Sequence, residues 1–208
     1  SSIFVKITTM KNVFTLILFF SISVLFAQEK KIETSKEFQD NLNKEYADAK
    51  ESPLMEKDLI VFKGLDFFPI DEKLIVKATF IRTKKETVFQ MKTSTSRLPE
   101  YKQYGELHFT IDGQKLHLNV YQNMDLIKKK GYKDYLFLPF SDLTNGKETY
   151  IGGRYIDLRI QKGTTWTIDF NKAYNPYCAY NYKYSCPIVP LENDLPIEIK
   201  AGVKKFHE

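Results

Sequence analysis

Histidine and cysteine, the side chains that most often carry metal binding and nucleophilic catalysis, are scarce in this chain of 208 residues. The three histidines, His108, His117 and His207, stand apart from one another, whereas a zinc site needs its ligands to converge. The chain also lacks the Gly-x-Ser-x-Gly, Gly-x-x-x-x-Gly-Lys and His-Glu-x-x-His motifs of standard hydrolases, phosphate-binding enzymes and zinc proteases. We therefore predict no metal site and no cofactor.

The net charge of the chain is also small. The formal net charge is +5, and removal of Lys6 and Lys11 with the first 27 residues lowers it from +5 to +3. The longest basic run, Lys128-Lys129-Lys130, is typical of a solvated loop. We expect no nucleic-acid partner, and two cysteines are too few for a disulfide-dense scaffold. The oligomeric state is not predicted by these features.

The apolar run at residues 13–26 is too short for a membrane span, which needs about 20 residues. It follows Met10-Lys11 and ends at Ala27-Gln28, the pattern of a secretory signal. We expect residues 1–27 to be an upstream extension plus signal peptide, cleaved near Ala27-Gln28. The product would be periplasmic or secreted, with no stable membrane span and, lacking a cysteine at the cut, no lipid anchor. An uncleaved membrane anchor is the alternative.

Residues 28–208 are predicted to form a single, mainly β domain. Thr34-Ser35-Lys36-Glu37 fits a capping box, which begins one N-terminal amphipathic helix that Ser52-Pro53 stops. Its apolar stripe is Phe38, Leu42, Tyr46 and Ala49. Short β-branched and aromatic runs separated by turn residues follow, which predicts an antiparallel sandwich or barrel-like fold. The expected strands are residues 74–82, 105–111, 115–121, 135–138, 155–160, 164–170 and 197–199, with hairpin turns at Asp112-Gly113 and Lys162-Gly163.

Residues 140–193 are unusually rich in turn residues, aromatics and isolated charges. The main sequence motifs are Ser141-Asp142-Leu143-Thr144-Asn145-Gly146, Gly152-Gly153-Arg154-Tyr155, Asp169-Phe170-Asn171, Tyr174-Asn175-Pro176-Tyr177-Cys178 and Ser185-Cys186-Pro187. Together with Phe62-Lys63-Gly64-Leu65 and Lys200-Ala201-Gly202, they resemble the uncharacterised family known as domain of unknown function 1684, from about Asn41 to Val203.

That resemblance implies no agreed activity, but it implies a polar signature. The signature falls on Asp142, Thr144, Gly146, Thr149, Tyr150, Gly153, Arg154, Tyr155, Asp157, Asn171, Asn175, Cys178, Cys186, Pro187 and Asn193. Two departures, Val189 for proline and Val203 for glutamate, do not touch the polar set.

Arg154 is the centre of the site hypothesis. Two glycines before it let the backbone bend or let another group approach closely, and its planar guanidinium suits a carboxylate or phosphate. It should therefore lie in a concave surface. The structural alternative is an ion pair with Asp142 or Asp169. Asp157 is three residues away, which on a strand places it on the opposite face.

Two classes of function fit. A binding module would hold a small anionic or sugar-like ligand in a cleft around Arg154, with contributions from Tyr155, Asn171, Asn175, Asn193, Thr144 and Tyr150. A small-molecule hydrolase or lyase would use Asp142 or Asp157 as base, or Cys178 as nucleophile, with Arg154 holding the anion. No nucleophile–base pair is recognisable, so enzymatic activity is not decided. The tyrosines Tyr174, Tyr177, Tyr180, Tyr182 and Tyr184 either line this cleft or cover a loop.

Cys178 and Cys186 enclose seven residues, and a disulfide between them is expected in an exported protein. Two free thiols and metal ligation are the alternatives.

Overall fold

The computed structural model describes residues 32–207, which contain seven antiparallel strands, one regular helix and a short second one. The helices are α1 (Ser35–Ala47) and α2 (Glu56–Leu59). The strands are β1 (Ile75–Arg82), β2 (Val88–Gln90), β3 (Glu100–Ile111), β4 (Gln114–Asn123), β5 (Tyr135–Phe140), β6 (Arg154–Arg159) and β7 (Thr165–Asp169). The predicted signal segment lies outside the described residues. Among those described, no helix is long and apolar enough to cross a membrane.

Helix α1 begins as its sequence predicts. The Thr34 side chain accepts a hydrogen bond from the Glu37 amide at 3.2 Å, and the Glu37 carboxylate accepts one from the Thr34 amide at 2.9 Å, which completes the capping box. The helix ends at Ala47, earlier than Ser52-Pro53, because Asp48 leaves the helical region and its side chain accepts from the Lys50 amide. Its buried face packs in a cluster formed by Leu42, Tyr46, Leu54, Leu65, Tyr180 and Val203.

The sheet is an open, curled half-barrel with strand order β6-β5-β4-β3-β1-β7, and β2 pairs with the start of β3. This confirms the mainly β, antiparallel, barrel-like prediction. Asp112 and Gly113 have φ values of 49° and 81° in the hairpin between β3 and β4, as a two-residue turn of that type requires. The hairpin predicted at Lys162-Gly163 is wrong, because β6 and β7 lie at opposite edges and β7 pairs with β1.

The main core covers one face of the sheet. It contains alternating side chains of the strands, among them Leu107, Phe109, Leu116, Leu118, Leu136, Leu138, Ile156 and Trp166. Leu195, Ile199 and Ala201 of the C-terminal segment join it. This segment is not a strand, contrary to the prediction for residues 197–199, and its backbone bonds partly to side chains and partly to the backbone of neighbouring loops.

Candidate functional site

Arg154 begins β6 on the core side of the sheet and is fully buried. Its Nη2 atom donates to Asp142 Oδ2 at 2.7 Å and to the Ile199 carbonyl at 2.8 Å, and its Nη1 atom donates to the Ala201 carbonyl. The ion pair with Asp142, the structural alternative, is therefore confirmed. The expectation that Arg154 lies in an open concave surface is wrong, because its side chain has no exposed area.

Gly153 lets Arg154 reach this position. Its φ of +86° is in the left-handed region, and a β-carbon there would lie 2.7 Å from the Phe140 carbonyl oxygen and 2.5 Å from Val189 Cγ2. Both reasons anticipated for glycine beside Arg154, a bend and a close approach, hold at this residue. The chain can therefore turn tightly and bring the guanidinium under the C-terminal segment.

Asp142 uses its other oxygen for the loop that follows β5. Oδ1 accepts from the Thr144 amide at 2.9 Å, from the Thr144 hydroxyl at 2.6 Å and from the Ile199 amide at 3.2 Å. The Thr144 hydroxyl also lies 2.8 Å from that of Thr149. Asp142 has no exposed side-chain area and Thr144 is buried, so both hold the loop after β5, and the catalytic and ligand-binding roles expected for them stay predictions.

The three predicted asparagines are also buried and connect backbone segments. Asn193 accepts from the Asn119 amide at 2.9 Å and donates to the carbonyls of Asn119 and Pro139, which joins β4 to β5. Asn171 exchanges two bonds of 2.9 Å with the Asp71 backbone. Asn175 donates to the Lys204 carbonyl at 2.9 Å. Each of them thus has a structural contact, and the ligand-binding role expected for them stays a prediction.

Asp157 differs from all of these, because it lies on the opposite face of the sheet and is exposed to solvent. Its Oδ1 atom accepts two hydrogen bonds, from the Tyr135 hydroxyl at 2.8 Å and the Tyr174 hydroxyl at 2.7 Å. No hydrogen bond from residues 32–207 reaches its Oδ2 atom. One carboxylate oxygen is therefore held in place while the other is free to accept from a ligand.

Aromatic side chains surround Asp157 on that face. Phe137 is its cross-strand partner on β5, and Tyr121 is the partner of Phe137 on β4, so the three form one row across the sheet. The Phe137 ring centre lies 4.7 Å from that of Tyr155 and 5.7 Å from that of Tyr101. We call Tyr101, Tyr121, Tyr135, Phe137, Tyr155 and Tyr174 the aromatic layer.

Burial controls protonation in this region. The surrounding protein raises the pKa of Asp157 by desolvation, although hydrogen bonds from Tyr174 and Tyr135 act to lower it. Burial also raises the pKa of Tyr121 to about 12 and that of Tyr135 further, so these tyrosines are neutral hydroxyl donors at neutral pH.

The tyrosines of residues 174–184 lie in different parts of the fold. Tyr174 belongs to the aromatic layer, whereas Tyr180 is buried and packs edge-on against Tyr46, with ring centres 5.0 Å apart. The Tyr177 hydroxyl donates to Glu45 at 2.9 Å, and Tyr182 is 86% exposed. Tyr177 and Tyr180 therefore cover helix α1.

Cys178 and Cys186 are free thiols that lie against each other. The Cys178 amide donates to Cys186 Sγ at 3.2 Å, and the Tyr150 hydroxyl lies 3.9 Å from Cys178 Sγ. The predicted disulfide stays a prediction. Within residues 32–207, no three His, Cys, Asp or Glu side chains are grouped as metal ligands.

The sequence hypothesis included Asp157 and Tyr155 but missed Tyr101, Tyr121, Tyr135 and Phe137. The signal for them was present: residues 135–140 are apolar or aromatic without alternation, which is typical of a strand covered on both faces. A covered strand next to β6 implies a second layer of packing on the Asp157 side.

The fold and these residues define a class: an antiparallel curled-sheet domain whose polar signature is largely buried and whose exposed carboxylate lies among aromatic rings. The chain belongs to the family described as "Protein of unknown function (DUF1684)", whose model matches residues 61–204. This confirms the resemblance seen in the sequence. No curated protein matches the chain. A solution structure of an uncharacterised protein from Haloarcula marismortui is similar, with a TM-score of 0.65 and 30% identity, over 81% of this chain and 91% of the other.

Proposed function

We propose that this domain binds a small, hydroxyl-bearing, sugar-like molecule at Asp157, without converting it. One observation carries the proposal. Asp157 is exposed, its Oδ1 atom is held by Tyr135 and Tyr174, and its Oδ2 atom has no protein donor among the described residues. A polar group that is positioned by the protein but left with a free lone pair is typical of a binding site.

The aromatic layer supports a sugar-like ligand. The rings of Tyr135 and Tyr174, which are half-buried and hydrogen-bonded to Asp157, can offer apolar faces to the C–H groups of a sugar, and the carboxylate between them can accept hydrogen bonds from its hydroxyls. An anionic ligand is less favoured, because Arg154, the residue expected to bind it, is buried in an ion pair with Asp142. The carboxylate of Asp157 would also repel an anion.

One property of Asp157 favours an enzyme instead. The raised pKa of Asp157 favours proton transfer, so a hydrolase or lyase with Asp157 as general base is the second candidate. The other residues expected in that enzyme, Asp142 and Arg154, have no exposed side-chain area through which they could contact a substrate. Turnover of a bound sugar or ester, abolished by Asp157→Asn, would favour the enzyme over the binding module.

The test is a titration of the mature protein with neutral mono- and disaccharides, followed by backbone NMR shifts and calorimetry. We expect shifts that centre on Tyr135, Phe137 and Asp157. The Asp157→Asn variant keeps an oxygen that can accept from both tyrosines but replaces the free acceptor with a donor. Loss of one charge-assisted hydrogen bond, about 1.5–3 kcal/mol, should weaken binding about 10- to 100-fold.

Asp40→Asn is the matched control, since Asp40 lies on helix α1 with its carboxylate 47% exposed and paired only with Lys36 in the described contacts. It should bind as the wild type does. Neutral sugars that leave the aromatic layer unperturbed, or equal affinity in Asp157→Asn, would refute the proposal. Organic acids and phosphates form the comparison panel, and preferential binding of these anions would contradict the sugar-like class.

A further inference from the structure

The two cysteines are in unequal surroundings although they lie side by side. Cys178 is half-buried and Cys186 is buried with 8% of its surface exposed. The Cys178 amide donates to Cys186 Sγ at 3.2 Å, so the second sulfur lies against the backbone of the first. A thiol reagent from solvent therefore meets Cys178 before Cys186.

Hydrogen bonds favour ionisation of the outer cysteine. The contact with Cys186 lowers the pKa of Cys178, burial acts against this, and the Tyr150 hydroxyl, 3.9 Å from the sulfur, lowers it further. The same contact with Cys178 raises the pKa of Cys186, and burial adds to the effect. The less buried cysteine, Cys178, is thus the better thiolate, and Cys186 retains its proton until it reacts.

The segment around the pair is fixed by contacts to the rest of the domain. The Cys186 carbonyl accepts from the Ser94 amide at 2.8 Å, and the Cys186 amide donates to the Ser94 hydroxyl at 3.1 Å. The next residue, Pro187, forms a bridge with Thr93 and accepts from the Tyr155 hydroxyl. Cys186 is therefore anchored, whereas Cys178 lies in a short turn at Tyr177–Ala179.

We propose that Cys178 and Cys186 form a reversible dithiol site for small disulfides, in which Cys178 attacks and Cys186 resolves. In the first step the Cys178 thiolate forms a bond to one sulfur of the disulfide, and the other sulfur leaves as a thiolate. In the second step Cys186 loses its proton to solvent and attacks Cys178 Sγ. The Cys178–Cys186 bond forms, the mixed disulfide breaks, and a second thiolate leaves. Two thiols are oxidised and one disulfide is reduced.

This goes beyond a structural disulfide, because it assigns a direction and a class of co-reactant. It is independent of sugar binding, since none of its steps uses Asp157. The expected consequence for the fold is a covalent closure of the loop that carries Tyr180 and leads to Pro187.

Oxidised glutathione is the probe, added to the reduced mature protein and quenched with acid at successive times. Intact mass and peptide mapping should show a transient glutathione adduct on Cys178 and then loss of two hydrogens. Cys186→Ser should stop at a stable adduct on Cys178. Cys178→Ser should react at least about tenfold more slowly, because the remaining thiol, Cys186, is buried and a reagent from solvent reaches it poorly.

The wild-type time course keeps the test valid even if a variant fails to fold, because it locates the adduct without any substitution. Circular dichroism of each variant provides the folding control. An adduct that appears first on Cys186, equal rates for the two serine variants, or two thiols that persist in excess oxidised glutathione would each overturn the proposal.

Discussion

Replacing Arg154 with methionine should remove a large part of the free energy of unfolding of this protein. The change removes donors to Asp142, Ile199 and Ala201 and leaves the Asp142 carboxylate fully buried without its cation. Loss of one partner of a buried ion pair costs about 3–5 kcal/mol. Native domains have about 5–15 kcal/mol in total, so the loss is a large fraction. For a domain of this size the melting temperature should fall by about 6–20 °C.

Arg159→Met is the matched control, since Arg159 ends the same strand and pairs with Asp134 at 2.8 Å while 44% of its side chain is exposed. An exposed pair contributes about 0–1 kcal/mol. The assay is urea denaturation at pH 7 followed by tryptophan fluorescence, because Trp166 is buried in the main core. A further Asp142→Asn change in the Arg154→Met protein should restore part of the loss, since it removes the buried charge. Equal costs for the two arginine variants would refute the structural role of Arg154.

Two further predictions concern Asp157 and Gly153. In the folded protein, desolvation raises the pKa of Asp157 above its ordinary value of 3.8. This stabilising contribution is present below pH 3.8 and is lost as pH rises through the folded pKa, so the melting temperature of Asp157→Asn should gain on the wild type across that window. A constant difference between the two would contradict it. Gly153→Ala should cost more than Gly163→Ala in urea denaturation: both glycines have positive φ, but a β-carbon at Gly163 meets open space, whereas one at Gly153 meets Phe140 and Val189. Equal costs would mean that close approach is unimportant.

The sequence predicted those elements in which local pattern and tertiary packing agree. The capping box at Thr34 and the Asp112-Gly113 turn each depend on a few neighbouring residues, and both form as expected. The Lys162-Gly163 turn also forms locally, with a positive φ, but whether its flanking strands pair depends on the curl of the whole sheet. Strand β2 was missed because its three residues are all exposed and have no apolar alternation.

The site hypothesis failed at Arg154 for a related reason. An arginine after two glycines has the same sequence pattern whether its partner is a ligand or the backbone of its own chain. The decisive fact is that residues 197–203 form no strand, which leaves the carbonyl groups of Ile199 and Ala201 without ladder partners, and the alternation in Ile197-Glu198-Ile199 does not reveal that. Those carbonyls needed donors, and the planar fork of Arg154 supplies them.

A common physical requirement explains why so much of the polar signature is buried. A curled sheet that stays open leaves loops and a C-terminal segment to cover it, and such irregular backbone must be hydrogen-bonded when it is buried. Arg154, Asp142, Asn171 and Asn193 meet that need with side chains whose polar contacts are all to the protein. The second carboxylate oxygen of Asp157 bonds to no backbone group among the described residues, and desolvation raises the pKa of this carboxyl. Fold stability does not explain why two tyrosines hold this carboxylate in one orientation while its second oxygen has no donor among the described residues, and the proposed binding of a ligand at Asp157 would account for that arrangement.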